Sequence, residues 1–196
     1  MAIMTSRQAA EFDHALERNG WTAEDVKKVS GGDLLARLLL VVRDLADVVV
    51  MKLLTIVRRV SIAAQPTITT SEEYFKEAGV VWMDENFKAQ FLGLEVAAIG
   101  ETELTIRKLE VASVDDPIIA ELGGKEKAEI SVSQFRAFLA ANRDSSERFI
   151  FYLKGKDGNL WAVRARWRRV RRCWGVGAHP VDGPGEWGSG GRVLSR

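Results

Sequence analysis

The chain has 196 residues, of which 46% are hydrophobic and 28% are charged, which is ordinary for a globular protein of one large or two small domains. The formal net charge of +1 conceals an asymmetry, because residues 143–196 carry twelve Arg or Lys against five Asp or Glu. The single cysteine, Cys173, excludes an intramolecular disulfide bond and favours a reducing compartment.

Two features of the sequence bear on cellular location. The first residues lack the apolar segment of a secretory signal, and charged residues interrupt the most apolar stretch, residues 34–57. We therefore expect a cytoplasmic protein without a membrane partner.

The first third of the chain, residues 1–64, is predicted to be a helical unit that ends in a strand. Capping boxes mark the starts of two short helices: Thr5 with Gln8, and Thr22 with Asp25. After two glycines, the apolar residues of 34–48 predict a longer helix. The β-branched run 55–62 predicts a strand.

The middle third, residues 65–142, alternates between helix and strand signals and begins beside Pro66, which interrupts regular structure. Four polar residues are predicted to cap helices: Thr70, Asp84, Asp116 and Ser131. Residues 94–99 and 102–109 flank a short polar turn and predict a β-hairpin. We expect residues 65–196 to form one domain.

The last third of the chain is predicted to be an antiparallel β region with a Gly-rich tail. Residues 149–153 and 160–168 form two strands around a turn rich in Asp, Gly and Asn, and residues 173–178 return as a third strand. After Pro180 the composition becomes rich in glycine, so we expect a loosely ordered tail that Trp187 attaches to the sheet.

The second of these strands is the clearest structural signal in the sequence. Side chains on a strand point alternately to opposite faces, so its residues separate into an apolar set and an arginine-rich set. The apolar set is Trp161, Val163, Ala165 and Trp167, and the other set is Ala162, Arg164, Arg166 and Arg168. The predicted fold class is α+β, with a helical N-terminal unit, a mixed α/β middle and a C-terminal antiparallel, Trp-rich β-sheet.

Three segments carry a resemblance to known sequences: FDHALERNGWTAEDVKKVSGGDLLA, EISVSQFRAFLAANR and FIFYLKGKDGNLWAVRARW. The chain resembles short, uncharacterised conserved proteins from candidate-phylum bacterial genomes over most of its length. The resemblance implies a bacterial protein with a helical N-terminus and a Trp-rich β C-terminus. It implies no activity, so no functional residue is carried over. Residues 169–172 are more basic than the polar turn of such proteins.

The side chains of catalytic and metal chemistry are sparse. The only histidines are His14 and His179, and a Cys173–His179 pair would lie roughly 20 Å apart along one continuous strand, beyond hydrogen-bond reach. Two histidines and one cysteine so widely separated do not form a zinc site. We therefore predict no enzyme activity, no metal and no cofactor.

Six arginines of the last third form the main candidate binding surface: Arg164, Arg166, Arg168, Arg169, Arg171 and Arg172. Guanidinium groups hold phosphates and exposed aromatic faces stack on bases, so arginines near tryptophans suit an anionic partner such as nucleic acid. Strict alternation, however, places Trp161 and Trp167 on the opposite face, where they are expected to be core. Arginines on an exposed strand also serve simply to keep a sheet edge in solution.

A different DNA-binding hypothesis places a helix-turn-helix at the N-terminus, where four residues have approximately its spacing: Leu16, Gly20, Val26 and Val29. Glu24 and Asp25 would then meet the phosphates, which disfavours this interpretation. The leading interpretation is a non-enzymatic binding or scaffolding protein whose protein partner the sequence does not identify. The alternative is a nucleic-acid-binding protein that uses the C-terminal arginines.

Overall fold

The computed structural model describes residues 4–31, 34–46, 52–183 and 185–196. The chain divides into two compact units, Met1–Met51 and Lys52–Arg196. The division lies upstream of the boundary expected near Pro66, because the strand predicted at 55–62 pairs within the sheet of the second unit.

The first unit contains helices α1 (Ser6–Arg18), α2 (Ala23–Ser30) and α3 (Leu34–Val42). Both predicted capping boxes form, at Thr5 and at Thr22. Helix α3 ends six residues before the predicted position, residues 43–46 turn, and residues 47–48 lie outside the described residues.

The second unit contains helices and strands that together form an α+β fold. In chain order they are β1 (Leu54–Ile62), β2 (Ile68–Thr69), α4 (Glu72–Glu77), β3 (Val80–Met83), α5 (Glu85–Phe91), β4 (Glu95–Val96), β5 (Thr102–Leu109), α6 (Asp115–Glu121), α7 (Lys125–Ala128), β6 (Glu129–Ile130), α8 (Val132–Ala141), β7 (Arg148–Lys154), β8 (Leu160–Arg168), β9 (Cys173–Pro180) and β10 (Arg192–Ser195). The main sheet has the order β1-β5-β10-β7-β8-β9-β3, and β6 also pairs with β7. A separate small sheet pairs β2 with β4.

The main sheet is mixed rather than purely antiparallel. Strands β7, β8 and β9 form the predicted antiparallel meander. The pairs β10–β7, β6–β7 and β3–β9 are parallel. A parallel pair needs a crossover connection, which α8 supplies between β6 and β7. The α+β class is therefore confirmed, while the sheet extends well beyond the last third of the chain.

Three local predictions are corrected by the structure. The hairpin of residues 94–99 with 102–109 does not form, because β4 pairs with β2 while β1 and β10 occupy both edges of β5. Ser71 rather than Thr70 caps α4, and the Thr70 hydroxyl instead donates a hydrogen bond to the Phe91 carbonyl. Helix α6 begins at Asp115, so Asp116 lies inside it.

The glycine-rich tail is also more ordered than predicted. Its last residues form β10, which lies between β5 and β7 in the interior of the sheet. Val193 and Leu194 are fully buried on opposite faces of that sheet. Val193 is buried in one core and Leu194 in the other. The strand is therefore held from both faces of the sheet, despite the glycines before it.

Each face of the sheet carries a hydrophobic core. Helices α4, α5 and α8 cover the first face with a cluster rich in phenylalanine, which includes Trp167 and Trp174. The two indole rings meet edge to face at 5.3 Å, and the Trp174 Nε1 donates a hydrogen bond to the Leu139 carbonyl. The apolar face predicted for β8 is therefore core, as expected. Helices α6 and α7 contribute to the smaller core on the second face.

Candidate functional site

The arginine-rich side of β8 belongs to the second face of the sheet. Its first member, Ala162, is buried in the smaller core with residues of α6 and α7. Farther along the strand, Arg164 and Arg166 are exposed and Arg168 is half-buried. The second face is thus covered by helices at one end and open where the arginines lie.

Two glycines of β9 form the floor beneath the arginines. Gly177 lies opposite Arg164 in the strand register, and Gly175 lies opposite Arg166. A Cβ atom at Gly175 would lie 2.7 Å from the Nε atom of Arg168, and one at Gly177 would lie 2.9 Å from the Nε atom of Arg164. Because the glycines have no side chains, the two arginine side chains can cross closely over β9.

Asp84 is the carboxylate that approaches this floor. It caps α5 by accepting a hydrogen bond from the Phe87 amide, and it also accepts one from the Ala178 amide. A Cβ atom at Gly177 would collide with its Oδ2 atom. Asp84 forms no salt bridge with Arg164, so its charge is satisfied mainly by backbone amides.

Trp82 of β3 forms one wall of the open region. The guanidinium carbon of Arg168 lies 4.7 Å from the centroid of the Trp82 ring, which is a cation–π contact. Trp82 keeps 39% of its surface exposed. The wall therefore presents an indole with an arginine stacked against it.

Trp187 forms a second wall and is held by three contacts. Its backbone pairs with that of Ser113, and its Nε1 atom donates a 2.7 Å hydrogen bond to Oδ1 of Asp115. Its ring lies 5.0 Å from the ring of His179. These contacts join the segment before β10 to helix α6 and to the end of β9.

The two walls and Gly175 of the floor line a groove of about 840 Å³, which we call the arginine groove. Its charged lining residues are Arg148, Arg164, Arg166, Arg168, Arg169 and Glu186. Within the part of the chain that the structure describes, none of these five arginines forms a salt bridge. Glu186 lines the groove and Asp84 lies beside Arg164, so five arginines outnumber two acids and the groove carries a net positive charge.

The electrostatics of the arginine groove favour an anion. Arg148 of β7 lies directly opposite Arg166, and like charges at opposed positions of neighbouring strands repel each other. A phosphate or carboxylate between them would relieve this repulsion. The guanidinium group binds such oxyanions through paired hydrogen bonds.

The six arginines predicted as a site divide into two groups. Arg164, Arg166, Arg168 and Arg169 line the arginine groove, whereas Arg171 and Arg172 lie in the β8–β9 turn and do not line it. The prediction omitted the other lining residues, among them Arg148, Trp82 and Trp187. Counting outward from the β7–β8 turn would have placed Arg148 opposite Arg166, since the register of this hairpin is regular.

A buried polar cluster supports the Trp187 wall. Asp115 is only 1% exposed, and its Oδ1 atom also accepts a 2.8 Å hydrogen bond from the Tyr152 hydroxyl. Burial, together with the Asp115 charge, raises the pKa of Tyr152 far above its usual range. The second carboxylate oxygen lies 3.4 Å from Nε2 of His179.

The geometry of the catalytic candidates is also defined. Strand β9 runs without a break from Cys173 to Pro180, so Cys173 and His179 lie near its opposite ends. Across the described ranges 4–31, 34–46, 52–183 and 185–196, no three His, Cys, Asp or Glu side chains are grouped so that they could hold a metal ion.

Comparisons with protein-family models, with curated proteins and with solved structures gave no match. Among the helices of the described residues, none has the length and apolar character needed to cross a membrane. The function of the arginine groove must therefore be inferred from its own chemistry.

Proposed function

We propose that this protein is a non-enzymatic binding protein whose arginine groove holds a single strand of nucleic acid. The observation that carries the proposal is a set of five arginines on one open face of the sheet, none of which forms a salt bridge with another described residue. Arginines on neighbouring strands, such as Arg148 and Arg166, repel each other and lower the stability of the free protein. An anionic ligand bound between them would remove this repulsion, and its binding would be more favourable by the same amount.

The spacing of the arginines supports an extended phosphate chain as the ligand. Arg164, Arg166 and Arg168 occupy alternate positions of one strand, so their attachment points are about 6.6 Å apart. Successive phosphates of an extended single strand have a comparable separation. A row of guanidinium groups can therefore contact consecutive phosphates.

The tryptophans of the groove walls support a nucleic acid over a simple polyanion. Trp161 and Trp167 belong to or pack against the core on the other face and are not available for stacking. Trp82 instead lies beside the arginines with 39% of its surface exposed, and an aromatic wall beside a cationic groove is the arrangement by which proteins bind single strands without sequence preference. Trp187 packs against the smaller core and shapes the second wall. A duplex would hide its bases from Trp82, which favours the single strand.

The proposal is tested by fluorescence anisotropy with labelled DNA and RNA single strands of about 12 nucleotides. Binding should weaken between about 50 and 200 mM salt, with a slope of about −0.7 in log–log form for each phosphate contact. The triple variant Arg164→Gln/Arg166→Gln/Arg168→Gln should weaken binding at least about tenfold and reduce the slope by about 2.

A charge-matched control separates a site from general attraction. Lys76, Lys125 and Lys156 are exposed, form no salt bridge among the described residues and do not line the groove. Changing all three to Gln removes the same charge and should weaken binding less than about twofold. Equal losses in the two variants, or no binding at low salt, would disprove the proposal. Stronger binding of poly-glutamate than of either nucleic acid would identify an acidic protein partner instead.

A further inference from the structure

The β8–β9 turn forms a projecting tip with a fixed shape. Two backbone hydrogen bonds close it, from the Arg171 amide to the Arg168 carbonyl at 3.0 Å and from the Arg172 amide to the Arg169 carbonyl at 3.3 Å. Arg172 adopts φ 47°, the left-handed conformation that returns the chain into β9. The tip is therefore a specific pair of successive turns.

The side chain of Val170 stands at this tip with 100% of its surface exposed. Its neighbours Arg169, Arg171 and Arg172 are also exposed and form no salt bridge among the described residues. An apolar side chain in this position contributes nothing to the folded core. The turn thus places one exposed apolar side chain next in sequence to three exposed cationic residues.

The tip continues the charge of the arginine groove. Arg169 lines the groove and is also the first residue of the turn. A phosphate chain that follows Arg164, Arg166 and Arg168 along β8 therefore arrives at Val170. Val170 would contribute to binding only if the ligand has an apolar group at that point.

We infer that the turn binds the duplex side of a junction between single-stranded and double-stranded nucleic acid, with Val170 against the terminal base pair. This inference rests on the proposed function. A duplex end offers an exposed apolar base-pair face between two phosphate chains, which matches one apolar side chain among arginines. Proteins that open or bend a duplex place apolar side chains against base steps in a similar way, with arginines on the adjoining backbone.

The test compares three unlabelled competitors for the labelled single strand: the same strand alone, that strand extended into a duplex, and a blunt duplex. The wild-type protein should prefer the tailed duplex to the single strand by roughly tenfold, the size of effect expected when one exposed valine side chain is buried against an apolar face. Val170→Ser should reduce this preference to within about twofold and leave single-strand affinity unchanged, while Val170→Ile should keep it. A 2-aminopurine base in the terminal pair should brighten with the wild type but not with Val170→Ser.

Several outcomes separate this inference from the proposed function. If single strands bind through the groove arginines but the tailed duplex has no advantage, the inference is wrong and the proposed function stands. If no single strand binds, both are wrong. Binding to vesicles that contain anionic phosphatidylserine, lost in Val170→Ser, would assign the tip to a lipid surface and overturn the junction. Val170 is fully exposed, so thermal unfolding should be the same for all three proteins.

Discussion

Arg148 and Arg166 lie directly opposite each other on β7 and β8, and neither forms a salt bridge with any described residue. Their side chains project from the same face of the sheet, so the pair is repulsive in the free protein. A bound anion would remove this repulsion, so the protein should be more stable when the groove is occupied than when it is empty.

Arg148→Gln should therefore separate stability from binding. Removing one charge of the pair relieves repulsion, so the free energy of unfolding should stay the same or rise by up to about 0.5 kcal/mol. Binding of the single strand should weaken, because one phosphate contact is lost. Urea unfolding and anisotropy on the same preparation measure the two effects. A loss of more than about 1 kcal/mol of stability would show that Arg148 has a structural role.

Gly175→Ala should disturb the groove without disrupting the fold. The added Cβ would meet Nε of Arg168 at 2.7 Å, so this side chain must leave its position over Trp82. Overpacking of this kind costs about 1–3 kcal/mol, and we expect the low end because Arg168 can move. Single-strand binding should fall and the Trp82 fluorescence should change.

The matched control for this substitution is Gly100→Ala. A Cβ there would have no neighbour within 4 Å, and the backbone needs no left-handed conformation. Its stability and binding should equal those of the wild type. Equal binding by Gly175→Ala would mean that the Arg168–Trp82 stack does not contribute to the site.

Tyr152→Phe should destabilise the protein in a pH-dependent manner. The substitution removes the hydroxyl that donates to the buried Asp115, at a cost of about 1–3 kcal/mol near neutral pH. Burial and the Asp115 charge raise the pKa of Tyr152 in the folded protein, so only the unfolded chain ionises this residue near its ordinary pKa of about 10. The unfolded state then binds fewer protons, and the stability provided by Tyr152 is lost progressively above about pH 10.

The difference in stability between the wild type and Tyr152→Phe should therefore narrow from about pH 9 to pH 11. Urea unfolding across this range measures it, and other ionising groups cancel because both proteins share them. A constant difference across the range would contradict the prediction.

Trp187→Phe should loosen one wall of the arginine groove. The variant keeps an aromatic ring against His179 but loses the Nε1 donor, so Asp115 retains Tyr152 as its remaining hydrogen-bond donor. We expect a loss of about 1–2 kcal/mol in stability and weaker single-strand binding. Faster proteolysis between β9 and β10 would show that the wall has been released. Unchanged proteolysis and binding would show that backbone pairing with Ser113 is sufficient.

The parts of the fold that were predictable are those encoded over a few residues. The capping box of Ser131 with Gln134 spans four positions and forms as expected. The alternation of β8 likewise identified its buried and exposed faces, because a strand repeats every two residues. Local patterns of this kind need no knowledge of the partner strand.

The rest of the site depends on contacts between distant residues. Trp82 reaches the arginines through the parallel pairing of β3 with β9, and Asp115 meets Trp187 across 72 residues. Neither the parallel pairing of two distant strands nor a contact between two distant residues produces a repeating pattern in the sequence. The six arginines were therefore recognisable as a set, while the walls that turn four of them into a groove were not.

Strand β10 has a consequence for how the sheet closes. It is the only link in the described sheet between the β1–β5 pair and the β7–β8–β9 meander. These two parts therefore join through the four residues Arg192–Ser195. A chain cut before residue 192 would expose the edges of β5 and β7 that β10 covers, and unpaired strand edges are sites where other chains can pair.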